Sequence, residues 1–248
     1  MGVETFVISK DTTEEELHQA MDHFRPLLAE GKDTAFTIRK GALTFDEKVS
    51  YANRYTMKRE EIIRHITAVS GDDPIISTTG KASRELFEIR TAGASGHARD
   101  FLTVGSMGHA SSIALGVALN KPDTTVWCVD GDGAALMHMG AMAVIGKTNP
   151  ANLIHIVINN EAHETVGGMP TAASAANIAA VAEACGYASA VCVSSFEELD
   201  QALNEAKERK QLSLIEVKCA IGARADLGRP TTTALENKEN FMAYLKTL

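Results

Sequence analysis

The sequence has no C-x-x-C pair among its four cysteines, at 128, 185, 192 and 219, so neither a zinc site nor a redox dithiol is suggested. Cys128 and Cys192 sit in apolar runs and are expected as reduced core residues of a cytoplasmic protein. No excess of basic charge exists: 24 Lys and Arg against 32 Asp and Glu leave a net charge of −8, without the footprint that non-specific nucleic-acid binding requires. A local basic pocket for a small anion stays open. No stretch of about 18 uncharged apolar residues is present, which removes a transmembrane helix. The first residues, MGVETFVISKDTTEEE, lack a basic start followed by an apolar core, so no signal peptide is read. Internal repeats and low-complexity tracts are also missing, apart from an Ala-rich run at 172–184.

What is present is an ordinary globular balance, 45% hydrophobic and 23% charged over 248 residues. Short β-branched runs alternate with helical segments, predicting an α/β fold: a doubly wound, mostly parallel sheet with helices on both faces. A first piece reads strand 4–9, a helix from the capping box Thr13-x-x-Glu16 to about Glu30, and strand 34–39. A polar stretch follows to residue 54. Helix 59–69 ends at Gly71, after which strands are predicted at 74–77, 101–104, 124–129, 153–158, 188–193 and 212–217. Helices are predicted between them at 81–89, 111–119, 134–145, 173–185 and 196–207. The division expected is 1–39 as a β-α-β remnant, 40–55 as linker and 56–248 as one complete domain. A lone two-strand unit buries little surface, so the remnant points to a missing partner.

The chemistry is concentrated at two strand ends. Gly131-Asp132-Gly133 follows one buried strand, and after 25 intervening residues Asn159-Asn160 follows the next. Carboxyl ends of neighbouring parallel strands are where open α/β sheets bind ligands. Asp132 offers a hard carboxylate oxygen and Asn160 an amide oxygen, a pair suited to Mg²⁺. Gly133 lets a diphosphate approach the start of the next helix. A lone G-D-G is also the sequence of a β-turn; the N-N pair at this spacing selects the cofactor reading. Leu136 stands at the third glycine position of a dinucleotide fingerprint, and Gly140–Thr148 is one residue too long for a P-loop, so neither motif is assigned.

These motifs resemble the diphosphate-binding domain of thiamine diphosphate (ThDP) enzymes. Ile76–Lys81, Asn159–Gly168 and Arg224–Thr232 narrow the resemblance to the phosphonopyruvate decarboxylase family of 2-oxoacid decarboxylases, with sulfopyruvate decarboxylase close by. Met169 departs from the family's G-G-Q-P-T, where Gln is expected. The resemblance implies ThDP and Mg²⁺ as cofactors, and non-oxidative loss of CO₂ from a small anionic 2-oxoacid bearing a phosphonate or sulfonate. It implies Asp132, Asn160 and the Ala162 carbonyl as metal ligands. Thr79, Gly80, Lys81, Gly108, Gly131, Gly133 and Ala134 would border the cofactor, the Gly105 backbone carbonyl would accept the aminopyrimidine's proton in a hydrogen bond, and Met107 would hold the cofactor bent. His109 and His163 are candidate proton carriers. Lys81, Arg224 and Arg229, with Arg84 nearby in sequence, are candidate substrate cations.

The family also implies a catalytic glutamate from a separate pyrimidine-binding domain. None of Glu4, Glu14, Glu15, Glu16 or Glu30 sits in a matching context, so residues 1–39 read as the end of that domain and the chain as half an active site. A homo-oligomer, or a hetero-oligomer with a pyrimidine-binding chain, is expected. Three alternatives stand beside phosphonopyruvate decarboxylation: a sulfopyruvate decarboxylase subunit, a non-catalytic association module, and a general 2-oxoacid decarboxylase or synthase.

Overall fold

A computed structural model describes residues 2–44, 50–93 and 96–248. The chain divides into two compact units, 1–50 and 51–248. In the first, β1 (Glu4–Ile8) and β2 (Thr34–Ile38) pair in parallel, linked by α1 (Glu14–Ala29). The predicted capping box is formed: Thr13 accepts from the Glu16 amide, and the Glu16 side chain accepts from the Thr13 amide at 2.9 Å. Only Ala20 and Phe24 of α1 are buried, whereas Leu28, Phe36 and Ile38 are exposed. Part of the predicted linker, residues 45–49, lies outside the described residues.

The second unit holds α2 (Arg59–Ser70), β3 (Ile75–Ser77), α3 (Lys81–Ala92), β4 (Asp100–Leu102), α4 (Ala110–Asn120) and β5 (Val126–Gly131). It continues through α5 (Asp132–Met137), α6 (Gly140–Thr148), β6 (Leu153–Asn159), β7 (Ala162–His163) and β8 (Met169–Pro170). The last elements are α7 (Ile178–Ala184), β9 (Ser189–Val193), α8 (Phe196–Arg209), β10 (Ser213–Lys218) and α9 (Ala234–Leu245). Six strands form one parallel sheet in the order β4-β3-β5-β6-β10-β9. Alternation along the central strands serves two cores. Trp127 and Val129 of β5 meet α2, α3 and α8 through Ile62, Leu86 and Leu203. Val126 and Cys128 face the other way, toward Ala114, Ile145, Ile178 and Phe241. A strand buried on both faces requires this continuous apolar run.

The sequence places every strand but the two-residue β7 and β8, and the structure corrects several bounds and one burial. The helix expected at 134–145 is two helices, α5 and α6, broken at His138–Met139, and β5 continues through Gly131 so that Asp132 opens α5. The helix expected at 173–185 begins as a 3₁₀ turn at Ala172–Ala175; Asn177 then caps α7 by accepting from the Ala180 amide at 2.9 Å, a side-chain bond that favours a helix start over a continuing helix. Helix α9 has no counterpart in the sequence reading. Cys128 is buried, but Cys192 lies exposed on edge strand β9, whose outer side has no neighbouring strand among the described residues. Among the described residues no helix is long and apolar enough to cross a membrane.

Candidate functional site

Strand order sets the location. From β3 the chain moves outward to β4, then returns to the other side of β3 as β5, so the connections leaving β3 and β5 run in opposite directions. At such a switch point a crevice opens beyond the carboxyl ends of the strands. A cavity of about 260 Å³ lies there, lined by the segments leaving β3, β4, β5 and β6 and by Arg59 of α2. Thr79, Gly80, Lys81, Met107, Gly131, Asp132, Gly133, Ala134, Asn160, Ala162 and His163 all border it. Eleven residues chosen from separate stretches of sequence are thereby brought to one place.

Asp132 is buried at the start of α5, and its carboxylate accepts a hydrogen bond from the Thr171 hydroxyl. Burial raises its pKa above the usual carboxylate range, against the opposing hydrogen bond from Thr171. Asn160, also buried, turns the chain back through Glu161, whose φ is +58°. Its amide oxygen accepts from the Ala162 amide at 3.1 Å, and its amide nitrogen donates to Glu164 Oε2 at 3.0 Å. Ala162 and His163 pair with Pro170 and Met169 as a short antiparallel ladder, which brings Thr171 to Asp132. Met169 itself is exposed on this ladder.

Charge in the cavity wall comes in an alternating chain. Glu85 takes a two-pronged contact from Arg59 (2.7 and 2.9 Å), Arg59 donates to Glu164 at 2.6 Å, and Glu164 accepts from Lys81 Nζ at 2.7 Å. Burial works to raise the Glu164 carboxyl, but Arg59 and Lys81 outweigh it and hold it below the ordinary range. Lys81 is the most exposed of the four side chains, at 27%, against 9% or less for the others.

Two glycines are explained by close approach. Gly108 has φ +87°, and a Cβ there would stand 2.8 Å from the Ala134 carbonyl oxygen and closer still to the His138 ring. The break between α5 and α6 seats that ring. At Gly133, φ is unremarkable but a Cβ would lie 2.8 Å from His163 Cε1 and 3.3 Å from Met107 Cε. The Gly105 amide donates to the Thr79 hydroxyl at 3.3 Å, tying this turn to the segment after β3.

The remaining predicted residues lie elsewhere. His109 is exposed, its ring 4.3 Å from that of His138 in a separate surface pocket. Arg224 is bound by Glu60 at 2.6 Å, Asp226 at 3.0 Å and Glu88, bordering a different cavity near Arg59. Arg229 is exposed and Arg84 half-buried, and neither borders the cavity.

Several participants are assigned no role in the sequence reading, although Glu164 and Thr171 lie inside stretches quoted for the family resemblance. Arg59, Glu164 and Thr171 carry the polar scaffold described above. Asn53 and Tyr55, within the stretch expected as linker, also reach the loop after β6. Asn53 donates to the Asn160 carbonyl at 2.8 Å and the Cys219 carbonyl at 2.9 Å, and Tyr55 donates to Glu161 at 2.8 Å. Asp130 borders the cavity and accepts from the Gly131 amide, with its second oxygen 3.6 Å from His155 Nε2; Asp130, His155 and Cys128 are all buried, their ligating atoms within 4.8 Å of one another. Isolated polar residues between apolar runs announce none of these pairings; a buried position for Arg59, at the mouth of a helix with two acidic neighbours, becomes visible only in three dimensions.

Residues 78–217 match the thiamine pyrophosphate enzyme, C-terminal TPP binding domain family. The chain is 38% identical over 184 residues to phosphonopyruvate decarboxylase of Streptomyces viridochromogenes, a match covering 74% of this chain and 45% of that protein. It is 38% identical over 156 residues to sulfopyruvate decarboxylase subunit beta of Methanocaldococcus jannaschii, covering 60% of this chain and 79% of that one. Among solved structures, benzoylformate decarboxylase from Polynucleobacter necessarius superposes with a TM-score of 0.58 at 16% identity, covering 76% of this chain and 36% of that one, which speaks to the fold. The chain spans less than half the length of the two phosphonopyruvate decarboxylases it matches.

Proposed function

The chain belongs to the thiamine pyrophosphate enzymes, carrying their C-terminal TPP binding domain, and on that premise we propose that it supplies the diphosphate-and-cation half of a 2-oxoacid decarboxylase acting on 3-phosphonopyruvate. The products would be phosphonoacetaldehyde and CO₂. The observation that carries the proposal is the shared cavity of Asp132, Asn160, Ala162, Gly133 and Met107 at the switch point of the sheet.

The residues fit such a cofactor and its cation. Asp132 is a buried carboxylate, the Thr78 hydroxyl borders the cavity without a hydrogen-bond partner among the described residues, and the floor is kept open by a glycine at 133. Asp132, the Asn160 amide oxygen and the Ala162 carbonyl would hold Mg²⁺, a cation that prefers such hard oxygens and keeps positions for phosphate. Thr79, Gly80, Gly131 and Ala134 would border the diphosphate, with Gly105 and Met107 placing the ring end. Bound ThDP would supply the carbon nucleophile and hold the electron pair left behind as CO₂ departs. His163, at the cavity wall, would carry a proton to or from the reacting carbon. Lys81 would face the second anion of the substrate, its release from Glu164 being the least costly because it is the outermost member of the charge chain.

We further propose that a pyrimidine-binding domain on an associated chain completes the site. A second reading, a sulfopyruvate decarboxylase subunit, is favoured by one observation: the match spans most of the M. jannaschii subunit but less than half of the Streptomyces enzyme. Calorimetric titration of ThDP, with and without Mg²⁺, into the wild-type chain and Asp132→Ala tests the site. Saturable binding that needs Mg²⁺ and vanishes in the variant is expected; Mg²⁺-independent binding, or a variant that binds like wild type, would overturn it. Turnover of phosphonopyruvate against sulfopyruvate and pyruvate, with the pyrimidine-binding chain supplied, separates the substrate readings.

A further inference from the structure

A carboxamide can ligate Mg²⁺ only through its oxygen, yet its two ends have nearly the same shape, so something must decide which end faces the cation. At Asn160 two neighbours do so. The Ala162 amide is a donor and engages the oxygen at 3.1 Å; Glu164 engages the nitrogen at 3.0 Å. An ionised carboxylate is acceptor-only, so the NH₂ end alone can face Glu164. Both Glu164 oxygens also accept from cations, Oε2 from Arg59 at 2.6 Å and Oε1 from Lys81 at 2.7 Å, and Arg59 is itself fixed by its paired contact with Glu85, whose side chain is 1% exposed. The line Glu85–Arg59–Glu164–Asn160 therefore runs from α3 through α2 to the loop after β6.

We propose that Glu164 is a positioning residue that fixes the Asn160 amide with its oxygen toward the cation. The inference rests on the reading of Asp132 and Asn160 as Mg²⁺ ligands. Ala162 alone leaves the amide less constrained, because its single donor can also be satisfied by solvent; Glu164 adds a repulsive term against the reversed amide, whose oxygen would meet a carboxylate. A negative charge behind the amide also strengthens the pull of its oxygen on a cation, the usual action of groups one layer behind a metal.

The test uses the full chain and measures the Mg²⁺ concentration giving half-maximal ThDP binding by calorimetry, beside the thermal midpoint without ligand. Glu164→Gln presents donor and acceptor alike, so the amide is no longer fixed; the Mg²⁺ midpoint is expected to rise about 10- to 100-fold. Glu164→Asp stays acceptor-only and is expected to retain more Mg²⁺ affinity than Glu164→Gln. In an Asn160→Ala background, Glu164→Gln should add less than about twofold, since residues acting through one group are not additive. An unchanged Mg²⁺ midpoint with a lowered thermal midpoint would make Glu164 a support of the fold only and overturn the inference. So would an undiminished effect in the Asn160→Ala background, or a reversed order of the Gln and Asp variants. If Asp132→Ala keeps Mg²⁺-dependent binding, or the wild-type chain shows none, the cation reading fails first and the inference with it. If Asp132→Ala abolishes binding while Glu164→Gln leaves the midpoint in place, only the positioning role is lost.

Discussion

Substituting Gly133 by Ala adds one methyl group at the floor of the cavity and separates a binding role from a folding role. The added Cβ would sit 2.8 Å from His163 Cε1 and 3.0 Å from Nδ1, about 0.6 Å inside the 3.4 Å where ordinary contact begins, with Met107 Cε at 3.3 Å. Everything that must give is a side chain, so the backbone can stay. The fold gains up to about 1 kcal/mol from replacing a helical glycine and loses a similar amount in moving His163. The net change in stability is expected within about 1 kcal/mol. Cofactor binding should respond far more, because the displaced imidazole and thioether border the cavity proposed for ThDP, and crowding a filled site by one methyl group typically costs about 1–3 kcal/mol. Calorimetry with saturating Mg²⁺ should show ThDP affinity at least tenfold weaker, while the thermal midpoint moves by no more than about 4 °C. Wild-type ThDP affinity in Gly133→Ala would refute the reasoning, since the closest walls of the proposed site would then be unimportant to it. A collapse of the thermal midpoint would refute it differently, by showing that the position serves packing.

Two helical glycines give a paired prediction with opposite signs. A Cβ at Gly146 of α6 would lie 2.7 Å from the Cys185 carbonyl carbon and nearer still to its oxygen, both backbone, whereas one at Gly116 of α4 would meet nothing within 4 Å among the described residues. Gly116→Ala should stabilise by about 0.5–1 kcal/mol, and Gly146→Ala should destabilise by about 1–3 kcal/mol despite the same gain in helix propensity; shifts of the same sign in thermal midpoint would contradict this. Arg59→Met leaves Glu85 buried without its cation and should cost about 3–5 kcal/mol, read as a midpoint lower by roughly 10 °C; a fall below about 2 °C would mean the charge chain is not supporting the fold. Burial pushes the Asp100 carboxyl up to about 7, against the opposing charges of Arg90 and Arg99. The folded state therefore binds this proton more tightly than the unfolded state, and the contribution is fullest below about pH 4 and lost as pH rises to about 7. Asp100→Asn should flatten the midpoint-against-pH curve across that window, and an unaltered slope would show that the Arg charges dominate instead.

Legibility in the sequence followed the range of the interaction. Strand positions were readable because Trp127, Val129, Ile154 and Ile156 on one face and Val126, Cys128, Leu153 and Val157 on the other make apolar runs, interrupted in β6 by His155 alone, a signal carried by each segment alone. The cavity residues were readable because backbone geometry fixes them: a residue at the carboxyl end of β3, β5 or β6 reaches the crevice whatever else the chain does. Capping boxes are equally local, and Thr233-x-x-Glu236 stands ahead of α9, directly after the family segment Arg224–Thr232, a helix-start signal that the sequence reading leaves unused. Side chains defined by a distant partner were not readable. Arg224, a basic residue in an otherwise matching motif, suits a phosphonate in sequence, but Glu60 and Glu88 lie far away in the chain and occupy it in the folded unit. Arg59, with nothing to mark it, ends buried between Glu85 and Glu164. An arginine is therefore a poor guide to an anion site until its own acids are located, whereas Lys81 could be placed at the cavity because the strand end, and not a partner, put it there. The same distinction explains Cys192: its neighbours in sequence are apolar, but β9 is an edge strand, and an edge position is a property of strand order that no local run of residues encodes.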